Sequence, residues 1–93
     1  MIVFLGDSIT QWWDTEYYDK FFGLYQPVNL GMVAHTSKDT LEYIELSHLN
    51  NMTPYITVLQ IGTNDPDHDM TTGETVKTIQ AICKRILEYS PDT

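Results

Sequence analysis

The chain has 93 residues, a formal net charge of -8 and a hydrophobic fraction of 42%. This length and composition predict one small globular domain, 1–93, and exclude a disordered chain. The excess of acidic residues repels phosphate backbones and anionic lipids, so we expect no nucleic-acid partner and no insertion into membranes. A single cysteine, Cys83, excludes an intrachain disulfide and is typical of a reducing compartment. Because Met1 runs directly into an apolar segment, without room for a secretion signal, we expect a cytoplasmic protein.

Strands and helices alternate along the chain. Short apolar runs that end at glycine indicate buried strands, and a stretch with helical character follows each of them. The predicted order is strand 2–5, partly helical segment 8–23, strand 28–30, helix 37–49, strand 55–61 and a last helix between Thr71 and Ser90. That last helix is the clearest element, because its apolar residues recur at helical spacing: Val76, Ile79, Ile82, Cys83, Ile86 and Leu87.

This alternation predicts an α/β fold in which a parallel sheet lies between helices on both faces. In such sheets, ligands bind beyond the carboxyl ends of the strands. Three loops reach that edge, at residues 6–8, 31–36 and 62–69, and they hold the unusual polar residues of the chain. The sequence therefore predicts a functional site at this edge.

Ser8, Gly31 and Asn64 each carry a group suited to acyl chemistry. Ser8 follows a buried strand and opens a helix, so its hydroxyl and its backbone N–H should face the edge of the sheet. The Gly31 N–H and the Asn64 side-chain amide are suitable neutral donors to an oxyanion. Each residue also has a plain structural explanation, since serine is a favoured helix N-cap and glycine and asparagine favour turns.

Taken together, three segments resemble the first three sequence blocks of the GDSL, or SGNH, hydrolase family. They are residues 2–10, 28–31 and 61–65, which stand in the family's order and with its spacing. The resemblance covers essentially the whole chain. It implies a flavodoxin-like three-layer α/β/α sandwich and the hydrolysis of an ester or other acyl group through an acyl-enzyme.

The resemblance also implies roles for individual residues. Ser8 is the nucleophile, and its backbone N–H forms an oxyanion hole with the Gly31 N–H and the Asn64 side chain. Asp7 is expected to brace the nucleophile loop through hydrogen bonds to neighbouring backbone. The implied partner is a small acyl-ester substrate, and we expect neither a metal nor another cofactor.

The family's last block, Asp-x-x-His, has no counterpart at the end of this chain, and a fourth and fifth strand are missing too. A serine hydroxyl without a base is a poor nucleophile, so we expect these 93 residues, as the N-terminal portion of a hydrolase, to be weak or inactive. His68 ends an Asp-x-x-His tetrapeptide, but this follows the third block directly, and we read the match as accidental. His35 is a candidate for substrate contact and, like His68, a weak candidate for the base. His48 is expected to be structural.

The alternation of Asp65, Asp67 and Asp69 is similar to the start of a calcium loop. However, Met70 and Val76 stand where glycine and the bidentate glutamate are needed. We therefore expect a solvated acidic loop.

Six aromatic side chains lie between residues 12 and 22, and we expect most of them in the core. Trp12 or Trp13 is a candidate wall of a substrate pocket. With no fourth strand beside it, the third strand would expose an apolar edge with unpaired backbone groups. Such edges pair with other chains, so we expect a homodimer or higher homo-oligomer joined near the third strand, or poor solubility.

The sequence thus favours a serine-dependent ester hydrolase. A rival interpretation is a non-catalytic α/β module that binds a small anion or nucleotide at the strand ends, since one fold hosts many functions. The lack of a glycine-rich phosphate loop counts against that rival. A third interpretation is a truncation product without a function of its own.

Overall fold

A computed structural model describes residues 1–46 and 49–93. The strands are β1 (Ile2–Gly6), β2 (Pro27–Gly31) and β3 (Ile56–Gln60), and the helices are α1 (Ser8–Gln11), α2 (Thr15–Phe22), α3 (Ser37–Leu46) and α4 (Thr72–Tyr89). Short 3-10 turns cover Gly23–Tyr25, Leu49–Asn51 and Pro66–His68. His48, for which the sequence predicts a structural role, lies outside the described residues.

The three strands form one parallel sheet in the order β2-β1-β3. At its carboxyl edge, Gly6 of β1 lies opposite Gly31 of β2 on one side and opposite Gln60 of β3 on the other. Neighbouring strands lie about 4.8 Å apart, so the loops that leave these three residues start side by side. The predicted α/β fold with a parallel sheet is confirmed.

β1 is buried at all five of its residues. Successive side chains point to opposite sides of a strand, so both faces of β1 are covered. Ile2 and Phe4 pack against Tyr18 and Phe22 of α2. On the other face, β1 packs against α3, the 3-10 turn after it and α4, through Val3, Leu5, Ile44, Leu49, Ile82 and Ile86. Helices therefore cover both faces of the sheet, and the α/β/α sandwich is confirmed.

Helix α4 begins and ends where the sequence predicts. Thr71 is its N-cap and accepts a hydrogen bond from the Glu74 N–H at 3.2 Å, and Ser90 follows its last residue. The predicted apolar stripe is only partly buried: Ile82 and Ile86 lie in the core, whereas Val76, Cys83 and Leu87 are exposed. The exposed part is explained by position, because Cys83 and Leu87 line a groove of about 310 Å³ beside β3 rather than over the sheet. No helix of the described residues is long and apolar enough to cross a membrane.

The expectation that the aromatic residues of segment 12–22 lie mostly in the core is wrong. Only Tyr18 is buried, whereas Trp12, Trp13, Tyr17 and Phe21 are exposed. The reason lies in the layer to which they belong. α2 is the single long helix described on its face of the sheet, so only its inner side finds a partner, on Ile2 and Phe4 of β1.

Candidate active site

Ser8 is the first residue of α1, directly beyond the end of the central strand. The N-cap of this helix is Asp7, whose Oδ1 accepts a hydrogen bond from the Ile9 N–H at 2.9 Å. The capping explanation for Ser8 is therefore wrong. Within the described part of the chain, neither the Ser8 hydroxyl nor its N–H has a hydrogen-bond partner, and the residue is half-buried. The Ser8 hydroxyl is therefore free to bond to a base or to a substrate.

Asp7 is fully buried and braces the turn from β1 into α1. Besides the Ile9 N–H, it faces the Gln60 side chain, whose Nε2 lies 3.5 Å from the second carboxylate oxygen. Gln60 also accepts a hydrogen bond from the Thr10 hydroxyl at 3.3 Å. The end of β3 is thereby tied to both ends of the short helix that carries Ser8.

Gly31 ends β2 and packs directly against the backbone of α1. A β-carbon at this position would lie 2.4 Å from the Gln11 nitrogen, so only glycine fits. Its N–H, proposed from the sequence as an oxyanion donor, instead donates to Asn29 Oδ1 at 2.9 Å. The same Asn29 side chain donates to the Thr10 carbonyl at 2.9 Å. Asn29 therefore links the end of β2 to α1 and occupies the Gly31 N–H in this conformation.

A tight turn follows β2, and Ala34 occupies its strained position. The His35 N–H donates to the Met32 carbonyl at 3.3 Å, and Ala34 has a φ of 64°, in the left-handed region that favours glycine. The Val33 N–H donates to the Gln11 side chain. The Ala34 N–H, in contrast, has no acceptor among residues 1–46 and 49–93. Strained residues cluster at functional sites. Ala34 lies, with its unpaired amide, in the loop beyond the carboxyl edge of the sheet, which we call the active edge.

Asn64 connects the loop after β3 with the loop after β2. Its Nδ2 donates one hydrogen to the His35 carbonyl at 3.0 Å. A carboxamide nitrogen carries two hydrogens, so the second is left for a ligand. Asn64 is half-buried, which gives that ligand access.

The prediction of a solvated acidic loop is wrong for Asp65. Asp67 and Asp69 are exposed, but Asp65 is fully buried. Its carboxylate accepts hydrogen bonds from the Ser37 N–H at 2.7 Å, the Ser37 hydroxyl at 2.6 Å and the Thr75 hydroxyl at 2.6 Å. Burial by itself would raise the pKa of Asp65, but these hydrogen bonds outweigh it and hold the pKa below its ordinary value.

Neither His35 nor His68 hydrogen-bonds to the Ser8 hydroxyl. The His35 ring packs edge-on against Tyr43 with centroids 5.5 Å apart, and its buried Nδ1 lacks a partner among the described residues. His68 is exposed, and its Nδ1 lies 3.1 Å from the Asn64 carbonyl oxygen. The described residues therefore hold the candidate nucleophile and amide donors without a histidine hydrogen-bonded to the Ser8 hydroxyl.

Known proteins resemble the chain over nearly its whole length. Platelet-activating factor acetylhydrolase IB subunit alpha2 of Rattus norvegicus, Bos taurus and Homo sapiens is 29% identical over 91 residues, which are 97% of this chain and 39% of the relative. A solved structure from Streptococcus pneumonia, provisionally described as a platelet activating factor, is 29% identical to this chain. Its TM-score is 0.83, over 99% of this chain and 42% of its own. The SGNH-hydrolase family esterase AlinE4 is 19% identical, with a TM-score of 0.76 over 94% of this chain and 52% of its own.

The resemblance to the GDSL/SGNH hydrolases is confirmed. No protein-family model matches the chain. The chain spans about two fifths of the length of the curated relatives it matches. The likeness therefore identifies the type of fold, and the activity of this chain stays a proposal.

The sequence alone does not identify some of the residues that build this edge of the sheet. Asn29 and Gln60 lie inside strands, where polar side chains that reach back to α1 cannot be told from surface residues. Asp65 is visible only as one member of an acidic run. The positive φ of Ala34 has no sequence signal, because glycine is the usual marker of that conformation.

Trp12, predicted as a possible substrate contact, lies at the end of α1 and is 70% exposed. It borders an aromatic groove of about 430 Å³ together with Trp13, Asp14, Tyr17, Phe21 and Phe22. The groove lies one helical turn from Ser8 along the chain. A substrate contact by Trp12 or by His35 stays a prediction.

Proposed function

We propose that residues 1–93 form the nucleophile-bearing part of one SGNH-type serine ester hydrolase domain. In this proposal the Ser8 Oγ attacks the carbonyl carbon of a small acyl ester. The carbonyl oxygen becomes an oxyanion, the ester C–O bond then breaks, and the alcohol leaves with a proton. Water hydrolyses the acyl-Ser8 ester and restores the hydroxyl.

The observation that carries the proposal is that Asp7, and not Ser8, is the N-cap of α1. Because the Asp7 carboxylate caps α1, the Ser8 hydroxyl is left without a structural task. It stands at the end of the central strand, between the loops that bear Gly31 and Asn64. A serine in this place is better explained by reactivity than by helix capping.

Three backbone or side-chain amides are proposed to stabilise the oxyanion. The Ser8 N–H is unpaired as the first amide of α1, and the Asn64 Nδ2 has one hydrogen to spare. The Gly31 N–H, expected from the family resemblance, would have to release Asn29 first. The unpaired Ala34 N–H, three residues further along, is the competing candidate for the same role. Loss of one such donor typically costs about 10²–10³ in rate.

The proton of Ser8 needs a base, and the described residues place none against it. We therefore propose that the 93 residues alone are weak or inactive and that full turnover requires a histidine from elsewhere in the domain. The names of the matched relatives, acetylhydrolase and esterase, favour short acyl esters as the first substrates to test. A cytoplasmic location stays a prediction.

A fluorophosphonate probe tests the nucleophile directly, because it forms a covalent bond with an activated serine. We expect a slow adduct that maps to Ser8 by peptide mass spectrometry and disappears in Ser8→Ala. Ser90→Ala is the matched control, since the Ser90 hydroxyl bonds to the Met52 carbonyl away from the active edge. A longer chain that includes an Asp-x-x-His block should react faster and turn over p-nitrophenyl acetate.

Two results would refute the hydrolase proposal. One is an adduct spread over several serines of the chain. The other is no adduct at all on the longer chain, combined with tight binding of a nucleotide or phosphate, which would favour the non-catalytic anion-binding module.

We also propose that two or more copies associate through β3. This strand pairs only with β1 among the described strands, and Ile56 and Val58 are 52% and 41% exposed. Unpaired apolar edges of this kind promote association. Sedimentation velocity should show an assembly larger than 10.7 kDa that Val58→Lys dissociates, whereas Leu24→Lys, at a residue 96% exposed elsewhere, leaves it intact. A monomer at all concentrations would refute this association.

A further inference from the structure

We infer that Asp65 is a positioning residue that sets the orientation of the Asn64 amide by locking two active-edge loops together. The inference rests on the proposed function of Asn64 as an oxyanion donor. Asp65 itself does not face Ser8. It acts through its neighbour in the chain, and the contacts of both residues show how.

Two adjacent hydrogen-bonded rungs join the loop after β3 to the loop after β2. Asn64 Nδ2 bonds to the His35 carbonyl, and the Asp65 carboxylate bonds to the N–H and hydroxyl of Ser37, two residues further along. The bonded residues follow in the same order along both loops: Asn64 and then Asp65 on one loop, His35 and then Ser37 on the other. A shift of the Asp65 rung therefore shifts the Asn64 rung as well.

The Asp65 rung is the stronger of the two. Its three bonds are 2.6–2.7 Å long, and each pairs a neutral donor with a charged acceptor in a site closed to water. Hydrogen bonds to a charged group are about twice as strong as those between neutral groups. The third bond, from Thr75, fixes the same carboxylate to α4. The Asn64 side chain is held by a single neutral bond, so its direction depends on the charged rung beside it.

The backbone of this loop also forms hydrogen bonds to the N–H and the carbonyl of Asp65. Its N–H donates to the Gly62 carbonyl at 3.1 Å, and its carbonyl accepts from His68 at 3.0 Å and from Met70 at 3.2 Å. The loop is thus wound around Asp65, and Asn64 lies within the turn that the bond from Asp65 to Gly62 closes. Misplacing a catalytic group by about 1 Å can cost on the order of 100-fold in rate.

The side-chain amide of Asn64 gives a direct readout by ¹⁵N NMR on the 93-residue chain. In the wild type we expect one of its two protons to be protected from exchange by the His35 carbonyl. In Asp65→Asn, the new NH₂ group would face either the Ser37 N–H or the hydroxyls of Ser37 and Thr75, so the Asn64 resonance should move and lose its protected proton. Fluorophosphonate labelling of Ser8 should slow by roughly 10- to 100-fold.

Two weaker variants keep the test decisive if Asp65→Asn does not fold. Ser37→Ala removes one bond of the rung and should move the Asn64 signal in the same direction. Thr75→Val breaks only the link to α4 and should move it less. Asp67→Asn, the same change at an exposed residue of the loop, and Thr78→Val, whose hydroxyl bonds within α4, are the controls.

An unchanged Asn64 amide in folded Ser37→Ala or Asp65→Asn would overturn the inference, even if stability falls. A purely structural Asp65 would lower stability and leave both that amide and the labelling of folded protein as they are. If Ser8 is not labelled even in the longer chain, the hydrolase proposal fails, but the amide signals of the 93-residue chain still decide whether Asp65 orients Asn64.

Discussion

Gly31→Ala is the sharpest test of the packing that holds the nucleophile in place. The added β-carbon would lie 2.4 Å from Gln11 N, 2.8 Å from Gln11 Cα and 2.9 Å from Thr10 C. Ordinary contact begins at 3.4 Å, so α1 or the end of β2 has to move by about 1 Å. All three neighbours are backbone atoms, which cannot escape by a change of rotamer.

We expect Gly31→Ala to lower the free energy of unfolding by about 1–3 kcal/mol, the usual cost of overpacking. A domain of this size has roughly 5–10 kcal/mol in total, so the loss is easily measured. The shift should also weaken the Asn29 bonds to Gly31 and Thr10 and displace the start of α1. Labelling of Ser8 should therefore slow, on the order of tenfold or more.

Urea unfolding followed by tryptophan fluorescence measures the stability, and Gly23→Ala is the matched control. Gly23 has right-handed helical angles, φ -54° and ψ -36°, and nothing lies within 4 Å of an added β-carbon. There, alanine should stabilise the chain by about 0.4–1 kcal/mol through the unfolded state. Equal urea midpoints for the two variants would refute the close approach of β2 to α1.

Three further predictions use the same assay. Ala34→Gly should stabilise the chain by about 0.5–1 kcal/mol, since glycine relieves the left-handed strain, and a lower midpoint would contradict the turn geometry. Asp7→Ala should cost about 1–2 kcal/mol as the loss of a buried N-cap, and more than Asp14→Ala, which removes the exposed cap of α2. Hydrogen bonds lower the pKa of Asp39 and, against burial, that of Asp65 below their ordinary 3.8, so the stabilisation from these groups is complete above the unfolded pKa near 4 and is lost as pH falls through the lower folded values. The difference between wild type and Asp65→Asn should therefore shrink on acidification below pH 4, and a constant difference would count against a charged Asp65.

The sequence predicts the regular elements well where burial enforces one period. β1 is apolar at every position because both its faces are covered, and α4 has a strong cap at Thr71 and a clear end at Ser90. Strand β3 is one residue shorter at each end than predicted, at Ile56–Gln60. These elements are determined by local spacing and by glycine at strand ends.

The arrangement of side chains around the active edge follows from tertiary contacts that no local pattern encodes. Asp65 looks like Asp67 and Asp69 in sequence, and only its contacts with Ser37, 28 residues away, and with Thr75 make it a buried acceptor. Ser8 looks like an N-cap until Asp7 is seen to occupy that role. The aromatic residues of α2 look like core because their hydrophobicity does not reveal how much of the sheet the helix covers.

The strand order has a consequence for the way the chain is made. β1, which precedes the other two described strands in the chain, lies in the middle of their sheet, so its two neighbours are both in place only after β3 has been synthesised. β3 starts 54 residues after β1, from Ile2 to Ile56, which takes a ribosome about 3–11 s at 5–20 residues per second. During that interval β1 can pair only with β2, and Val3 and Leu5 lack the α4 residues Ile82 and Ile86 that cover them in the folded chain, so the nascent chain exposes apolar surface that promotes aggregation.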